Sequence, residues 1–334
     1  MNVYNCGFRS GVIEDSARRN WQDTGPRPIH WATWYPTEDV KTASSPVYPF
    51  FETGAVVANA RPVRTRASPI VLLSHGTGGT AQSLGWIARG LVKKGFVVLA
   101  ANHHGNTGLE PYCAEGFLCW WERAQDLNLL LSRTPDVGLP DAAIDKNKVS
   151  AVGFSLGGYT VLALAGARTS LQAFDQWRRK NNIKQDGPRE FPNAASEIPT
   201  LLKNSHVFRQ SWERHGDDFS NPLVKSIVAI APAPTVRGFT EASVQMIRRP
   251  VTLIGVEADA EAPFNQCVQW LARYNSRFKA INMGKDVGHY TFLDMPADRS
   301  LLRRDPLFTE FPGVARETVH AECLKAIHSA LITR

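Results

Sequence analysis

The sequence lacks several of the features that mark membrane proteins and exported proteins. None of its apolar runs is long enough to cross a bilayer, so we predict no membrane span. The first residues, MNVYNCGFRS, lack the charged head and apolar core of a signal peptide, which predicts a cytoplasmic protein. A periplasmic or secreted location would require that a signal peptide had already been removed.

Cysteine and concentrated charge are also scarce. The chain has five cysteines, and none of their spacings resembles a zinc site, so we predict no bound metal. Cys113 and Cys119 lie close together in a predicted loop, where a disulfide could form in an oxidising compartment. The formal charge of +7 comes from 38 basic and 31 acidic residues that are dispersed along the chain. Dispersed charge argues against nucleic-acid binding, and nothing in the sequence indicates the oligomeric state.

What the sequence does contain is an alternation of short apolar runs and helical stretches. The runs PIVLLS, from Pro69, and GFVVLA, from Gly95, flank a predicted helix over about 81–94, which makes a strand, helix, strand unit. Further predicted strands are 27–36, 148–152, the runs SIVAIAPAP and RPVTLIGVEAD, and 278–283; further predicted helices are 122–133 and 317–331. This order predicts the α/β fold class, with a mostly parallel central sheet flanked by helices.

We predict a single domain over residues 1–334, with two additions to the repeating pattern. Residues 1–26 are expected to be an N-terminal extension. Between about 170 and 222 the alternation stops, and the chain is charged, irregular and helix-prone in places. We interpret this segment as a lid-like helical insertion over the carboxyl edge of the sheet, where α/β proteins bind ligands. The alternative is a peripheral decoration without contact to the ligand.

The stretch VSAVGFSLGGYTVLALAGAR, residues 149–168, places one serine between two glycines at a predicted strand-to-helix turn. Gly153 and Gly157 would let the strand and helix approach closely, and Ser155 could then occupy the strained apex of a nucleophile elbow. A serine hydroxyl needs such exposure beside a base, because it is a poor nucleophile by itself. The alternative is a glycine-rich turn with an incidental serine.

A base and a carboxylate are expected at the same sheet edge as Ser155. His289 follows the last predicted strand and is our candidate base. The loop after VTLIG offers Asp259, our candidate for the residue that orients the histidine, with Glu257 as the runner-up. Two backbone N–H groups should bind the oxyanion: that of Leu156, after the serine, and that of Thr77, in the loop SHGTGG. His75 of that loop is expected to brace it.

The motifs LLSHGTGG, AANHHGNTG, VGFSLGGYT and VGHYTFL, in that order, resemble the α/β-hydrolase superfamily, in the branch of predicted dienelactone hydrolases and platelet-activating-factor acetylhydrolases. The resemblance covers about residues 27–293. It implies the α/β-hydrolase fold and hydrolysis of a carboxylic ester by serine, without metal or cofactor. Ser155, Asp259 and His289 fall on the triad positions of this family, and Thr77 and Leu156 fall on its oxyanion positions.

The chain also departs from this family. Dienelactone hydrolases have a cysteine nucleophile where this chain has Ser155. In the acetylhydrolases the acid lies one strand earlier, where this chain has APAPTV without a carboxylate.

We therefore predict a serine esterase that acts on small to medium esters through an acyl-enzyme. His104, Trp120 and Trp121 follow the second βα motif and are candidates to line the substrate pocket; the alternative for the aromatic residues is packing in a long loop. An acyltransferase that uses the same acyl-enzyme is the alternative enzyme. A binding protein with this fold and no turnover is the alternative from another class.

Overall fold

The computed structural model describes residues 4–40 and 50–332, and its centre is a nine-stranded sheet. The strands are β1 (Asn5–Arg19), β2 (Pro26–Thr37), β3 (Val57–Ala58), β4 (Ser68–Ser74), β5 (Val97–Asn102), β6 (Ile144–Phe154), β7 (Val224–Ile230), β8 (Val251–Gly255) and β9 (Phe278–Asn282). Their order across the sheet is β3-β1-β2-β5-β4-β6-β7-β8-β9. From β5 to β9 every neighbouring pair is parallel, whereas β2 is antiparallel to both β1 and β5.

Helices cover both faces of this sheet. The α-helices are α1 (Gly85–Val92), α2 (Ala114–Leu118), α3 (Glu122–Ser132), α4 (Leu156–Ala165), α5 (Leu171–Lys180), α6 (Ile198–Asn204), α7 (His206–Glu213), α8 (Glu241–Met246), α9 (Val268–Tyr274) and α10 (Arg316–Ile332). Apolar residues of α1 and α10 belong to the core on one face, and those of α3, α4 and α9 belong to the core on the other. The central strands are buried on both sides, as parallel strands covered by helices must be. The predicted mostly parallel sheet with flanking helices is confirmed.

The N-terminal residues take part in the sheet. Residues 5–19, part of the expected extension 1–26, form β1, which pairs along nearly its whole length with β2. The sequence did not predict this strand, because its residues, NCGFRSGVIEDSARR, carry little continuous apolar character. The strand predicted over 27–36 corresponds to β2, and the strand predicted over 278–283 corresponds to β9.

The segment 170–222 lies between α4 and β7 in the chain and forms α5, α6 and α7. It packs on the chain around α2 and α3. The indole N–H of Trp121 donates to the carbonyl of Ser211 in α7 at 3.0 Å, and Trp120 packs edge-on against Phe174 of α5. The insertion is therefore attached to the body of the fold through buried aromatic contacts.

Candidate active site

Ser155 lies at the turn between β6 and α4, with φ 54° and ψ −119°. A positive φ is strained for a residue with a Cβ, and such strain persists only where the surroundings hold it in place. The two flanking glycines allow the turn. A Cβ on Gly153 would lie 2.0 Å from the carbonyl oxygen of Gly157, and a Cβ on Gly157 would lie 2.0 Å from that of Ser74. Strand and helix can therefore cross this closely only with glycine at both positions.

The structure brings Ser155, His289 and Asp259 into one chain of hydrogen bonds. Ser155 Oγ lies 3.0 Å from His289 Nε2, and His289 Nδ1 lies 2.6 Å from Asp259 Oδ2. The other oxygen of Asp259 accepts the backbone N–H of Ala262 at 2.6 Å. Because an ionised carboxylate only accepts, it holds the ring proton on Nδ1 and leaves Nε2 free to accept the serine proton.

The structure also distinguishes the two acids that follow β8. Asp259 is buried, with a fully enclosed carboxylate, and it faces His289. Glu257 is exposed, and its carboxylate accepts a hydrogen bond from the side-chain amide of Asn282 at 2.5 Å. Of the two, only Asp259 is hydrogen-bonded to the histidine.

Two backbone N–H groups, one in each of the two turns that meet at Ser155, have no acceptor in the part of the chain that the structure describes. One belongs to Leu156, the first residue of α4, and the other belongs to Thr77, in the turn after β4. The first N–H groups of a helix have no partner within the helix, and they carry the positive end of its dipole. The N–H of Leu156 is one of these helix N–H groups, whereas the N–H of Thr77 belongs to a turn; neither has an acceptor among the described residues, so both are free to donate.

Buried side chains hold the turn that carries Thr77. Nδ1 of His75 donates to the carbonyl of Gly76 at 2.6 Å, and its Nε2 accepts the backbone N–H of His103 at 3.2 Å. Burial holds the pKa of His75 well below its usual value, and the nearby Arg123 adds to this effect. His75 is therefore a neutral ring that braces the turn, in agreement with its expected role.

Helix α3 also supports this turn, which was not evident from the sequence. Arg123 is completely buried and donates to the carbonyl of His75, and its second nitrogen donates to Asn106 Oδ1 at 3.4 Å. The same Asn106 oxygen accepts the backbone N–H of Gly78 at 2.7 Å. Burial lowers the pKa of Arg123 to about 9. An arginine on the apolar face of a predicted helix was the available signal for this role.

A second serine, histidine and aspartate chain lies beneath the first. Ser74 Oγ is 3.0 Å from His103 Nε2, and His103 Nδ1 is 2.9 Å from Asp126 Oδ2. The carboxylate of Asp126 also accepts from Arg18 at 2.7 Å and from Arg27 at 3.0 Å, which ties β1 and β2 to α3. All three members of this chain are fully buried, so a substrate cannot reach Ser74, and the arrangement is structural.

The three residues predicted to line the pocket are engaged elsewhere. His104 is buried, with Nδ1 at 2.7 Å from Glu110 and Nε2 accepting the backbone N–H of Trp21 at 3.3 Å. Trp121 is completely buried under α7, and Trp120 packs among aromatic residues of the core. Their contacts are those of packing residues, as the alternative interpretation had it. Cys113 and Cys119 are free thiols in the structure.

Residues of the insertion instead reach the neighbourhood of the triad. The guanidinium of Arg189 lies 4.9 Å from the ring centre of Tyr290, the residue after His289. Glu190 lies against the turn that carries Thr77, since a Cβ on Gly78 would be 2.9 Å from its Cγ. The hydroxyl of Tyr112 donates to the carbonyl of Gly78 at 2.7 Å. The insertion therefore contacts both loops that contribute to the site.

Within 4–40 and 50–332, no group of three or more His, Cys, Asp and Glu side chains is arranged to hold a metal ion. Among the same residues, no helix has the length and apolar character needed to span a membrane.

A strained serine at a strand-to-helix turn, hydrogen-bonded to a histidine on a mostly parallel sheet, defines the class of α/β-hydrolase folds. The sequence model of the alpha/beta hydrolase family matches residues 70–300, and the chain belongs to this family. The expected membership of the superfamily is thus confirmed.

The fold also has similar solved structures. A ferulic acid esterase from Streptomyces cinnamoneus is similar with a TM-score of 0.62 at 17% identity, over 99% of this chain and 90% of that chain. A puromycin-hydrolyzing peptidase from Mycobacterium tuberculosis is similar with a TM-score of 0.52 at 12% identity, over 97% of this chain and 39% of that chain. The comparison with curated proteins finds no match.

Proposed function

We propose that this protein is a serine hydrolase of carboxylic esters that works through an acyl-enzyme. The observation that carries the proposal is the hydrogen-bond chain from Ser155 through His289 to Asp259, set beside two unpartnered N–H groups. Nucleophile, base, orienting carboxylate and oxyanion donors are the parts that acyl transfer by serine requires.

In the proposed reaction Ser155 Oγ attacks the ester carbonyl while His289 Nε2 takes its proton. The oxyanion of the tetrahedral intermediate accepts the N–H groups of Leu156 and Thr77. The intermediate collapses when the bond to the alcohol oxygen breaks and His289 returns the proton to that oxygen. Water then attacks the acyl-enzyme with the same histidine as base, which releases the acid and regenerates Ser155.

The groups beside the triad favour esters with an aromatic or polar acyl group, and the small to medium size is the expectation taken from the sequence. The phenol rings of Tyr112 and Tyr290 and the guanidinium of Arg189 lie beside the two site loops. Phenol and guanidinium groups can bind both the face of an aromatic ring and its hydroxyl substituents. Because a similar solved structure is named a ferulic acid esterase, hydroxycinnamate esters belong among the first substrates to test.

A fluorophosphonate probe tests the nucleophile without knowledge of the substrate. We expect the wild-type protein to be labelled at Ser155 and Ser155→Ala to remain unlabelled. Ser132→Ala, at an exposed serine at the end of α3, is the matched control and should be labelled like the wild type. Failure to label the folded wild-type protein, or equal labelling of Ser155→Ala, would overturn the proposed nucleophile.

A panel of esters then tests the reaction. We expect turnover of p-nitrophenyl acetate and butyrate and of methyl ferulate, with loss of turnover in Ser155→Ala. Product analysis of p-nitrophenyl butyrate turnover with added methanol separates hydrolysis from acyl transfer, since a transferase would form methyl butyrate in preference to butyric acid. Turnover of peptide or amide substrates alone, with all esters inert, would refute the assignment to esters.

A further inference from the structure

A cavity of about 500 Å³ lies apart from the triad, between the insertion helix α5, the segment after β7 and helix α9. Its wall includes Trp177 from α5, Trp270 from α9 and Arg237 from the turn Pro234–Gly238. No residue of its wall belongs to the triad or to the turn that carries Thr77. The cavity is thus a separate feature of the surface.

The guanidinium of Arg237 is held by aromatic rings. It lies 4.3 Å from the ring centre of Trp270 and 5.8 Å from that of Trp177, and its Nη1 donates to the carbonyl of Gln266 at 3.3 Å. Its Nε is buried without an acceptor. Across the described ranges, no carboxylate lies within ion-pair distance of Arg237, so neither its charge nor all of its donors are matched.

The other charged residues of the cavity do not neutralise the charge of Arg237. Glu241 also lines the cavity, but one oxygen of its carboxylate accepts the hydroxyl of Tyr274 at 2.5 Å. Lys180 is an exposed cation on the rim, and within the described part of the chain it too makes no ion pair. Two cations and one partly engaged carboxylate therefore face the same space.

An immobilised guanidinium without a counter-charge is a preformed receptor for an oxyanion. Of its donors, Nε is closed off by burial and Nη1 already donates to Gln266, so Nη2 is the nitrogen left to meet a carboxylate, and aromatic contacts restrict the motion of the guanidinium before a ligand arrives. The amide side chains of Gln176, Asn181 and Asn265 also line the cavity and could hydrogen-bond to hydroxyl groups. The volume is within the range of small-molecule sites.

We propose that this cavity binds an organic carboxylate carried on a hydroxylated ring, with Arg237 as the carboxylate receptor and Lys180 as an additional cation. A sugar acid and a hydroxylated aryl acid both present this chemistry. The proposal concerns binding at a second site and does not depend on ester hydrolysis at Ser155.

Calorimetric titration of the full-length protein tests the proposal and separates the two sources of the carboxylate. The probes are D-glucuronate and 4-hydroxybenzoate, each paired with a neutral analogue, glucose or 4-hydroxybenzyl alcohol. We expect saturable binding of at least one acid and none of its neutral analogue. Arg237→Gln should weaken that binding by roughly ten- to a hundredfold, the range expected for a charge-assisted hydrogen bond.

The matched control is Arg248→Gln, which removes the same charge from an exposed position outside the cavity and should leave the affinity unchanged. Because Arg237 packs against two indoles, Lys180→Gln provides a second test on the rim, with an expected loss of about two- to tenfold. The proposal is overturned if neither acid binds, if the neutral analogues bind equally well, if Arg248→Gln weakens binding as much as Arg237→Gln, or if inorganic phosphate binds more tightly than both acids.

Discussion

Replacement of Asp259 by asparagine is the sharpest test of the proposed mechanism, because it changes one atom in a buried hydrogen-bond chain. One carboxylate oxygen of Asp259 faces His289 Nδ1 at 2.6 Å, and the other accepts the N–H of Ala262 at 2.6 Å. Asparagine has one acceptor and one donor group in place of two acceptors. Whichever way its amide turns, one of these two contacts is lost.

The two orientations have different consequences. If the amide oxygen faces His289, the amide N–H₂ faces the N–H of Ala262, and buried donors oppose each other at a cost of about 1–3 kcal/mol. If the N–H₂ faces His289, it donates to Nδ1 and moves the ring proton to Nε2, which then cannot accept the proton of Ser155. The second orientation keeps the contact with Ala262 and disables the base.

We therefore expect Asp259→Asn to lower kcat by about 10³ to 10⁴, the scale known for an imidazole that loses the partner fixing its tautomer. Each factor of ten corresponds to about 1.4 kcal/mol of transition-state stabilisation. Glu257→Gln is the matched control, because Glu257 is exposed and bonded to Asn282, and it should cost less than about tenfold.

The assay is kcat and kcat/KM on an ester that the wild-type protein hydrolyses, with thermal unfolding of each variant as the control for folding. Asp259→Asn should unfold cooperatively, with its main loss in kcat. A folded Asp259→Asn with nearly wild-type kcat, or a larger loss in Glu257→Gln, would show that the proposed orienting carboxylate is wrong.

Three further predictions concern catalysis, packing and pH. Ser155→Ala should retain the melting behaviour of the wild type while ester turnover falls by about 10⁴ or more, measured by initial rates, and turnover near the wild-type rate would refute the serine mechanism. Gly157→Ala should destabilise the fold by more than about 3 kcal/mol in urea unfolding, because its Cβ would meet the carbonyl oxygen of Ser74 at 2.0 Å. The control is Gly25→Ala, whose Cβ would have no neighbour closer than 3.8 Å and which should change stability by less than about 1 kcal/mol. Similar losses in both variants would contradict the packing argument. Burial lowers the pKa of His320 from 6.5 to about 4. The contribution of the neutral ring to stability is therefore complete above pH 6.5 and declines by about 1.4 kcal/mol per pH unit as the pH falls towards 4, because the unfolded chain takes up the proton first. His320→Gln should reduce the pH dependence of the unfolding free energy over that window, and an unchanged slope would argue against a buried neutral ring.

The sequence by itself determined the features that depend on neighbouring residues. Buried parallel strands require short apolar runs, and a strand-to-helix turn with a serine at its apex requires glycine on either side, so β4, β5 and the turn at Ser155 could be recognised. The position of His289 followed from the same logic, because loops after parallel strands meet at one edge of the sheet.

Only the tertiary structure decided the features that depend on distant parts of the chain. Asp259 and Glu257 both follow β8, two residues apart, and both carry a carboxylate, so the sequence does not choose between them. The path of the loop past His289 decides which of the two is hydrogen-bonded to the histidine. The strand β1 owes its place to pairing with β2, since its own residues alternate too weakly to predict a strand.

The same reason explains why the packing of Trp120 and Trp121 and the contacts of the buried charges could not be foreseen. Whether an aromatic side chain meets substrate or core depends on what packs over it, and α7 of the insertion covers Trp121. A buried arginine is tolerated only where carbonyls and carboxylates from other segments converge on it, as they do around Arg123 and Arg18. Local sequence preferences act over a few residues, whereas these contacts join segments up to 108 residues apart, so they exist only once the chain has folded.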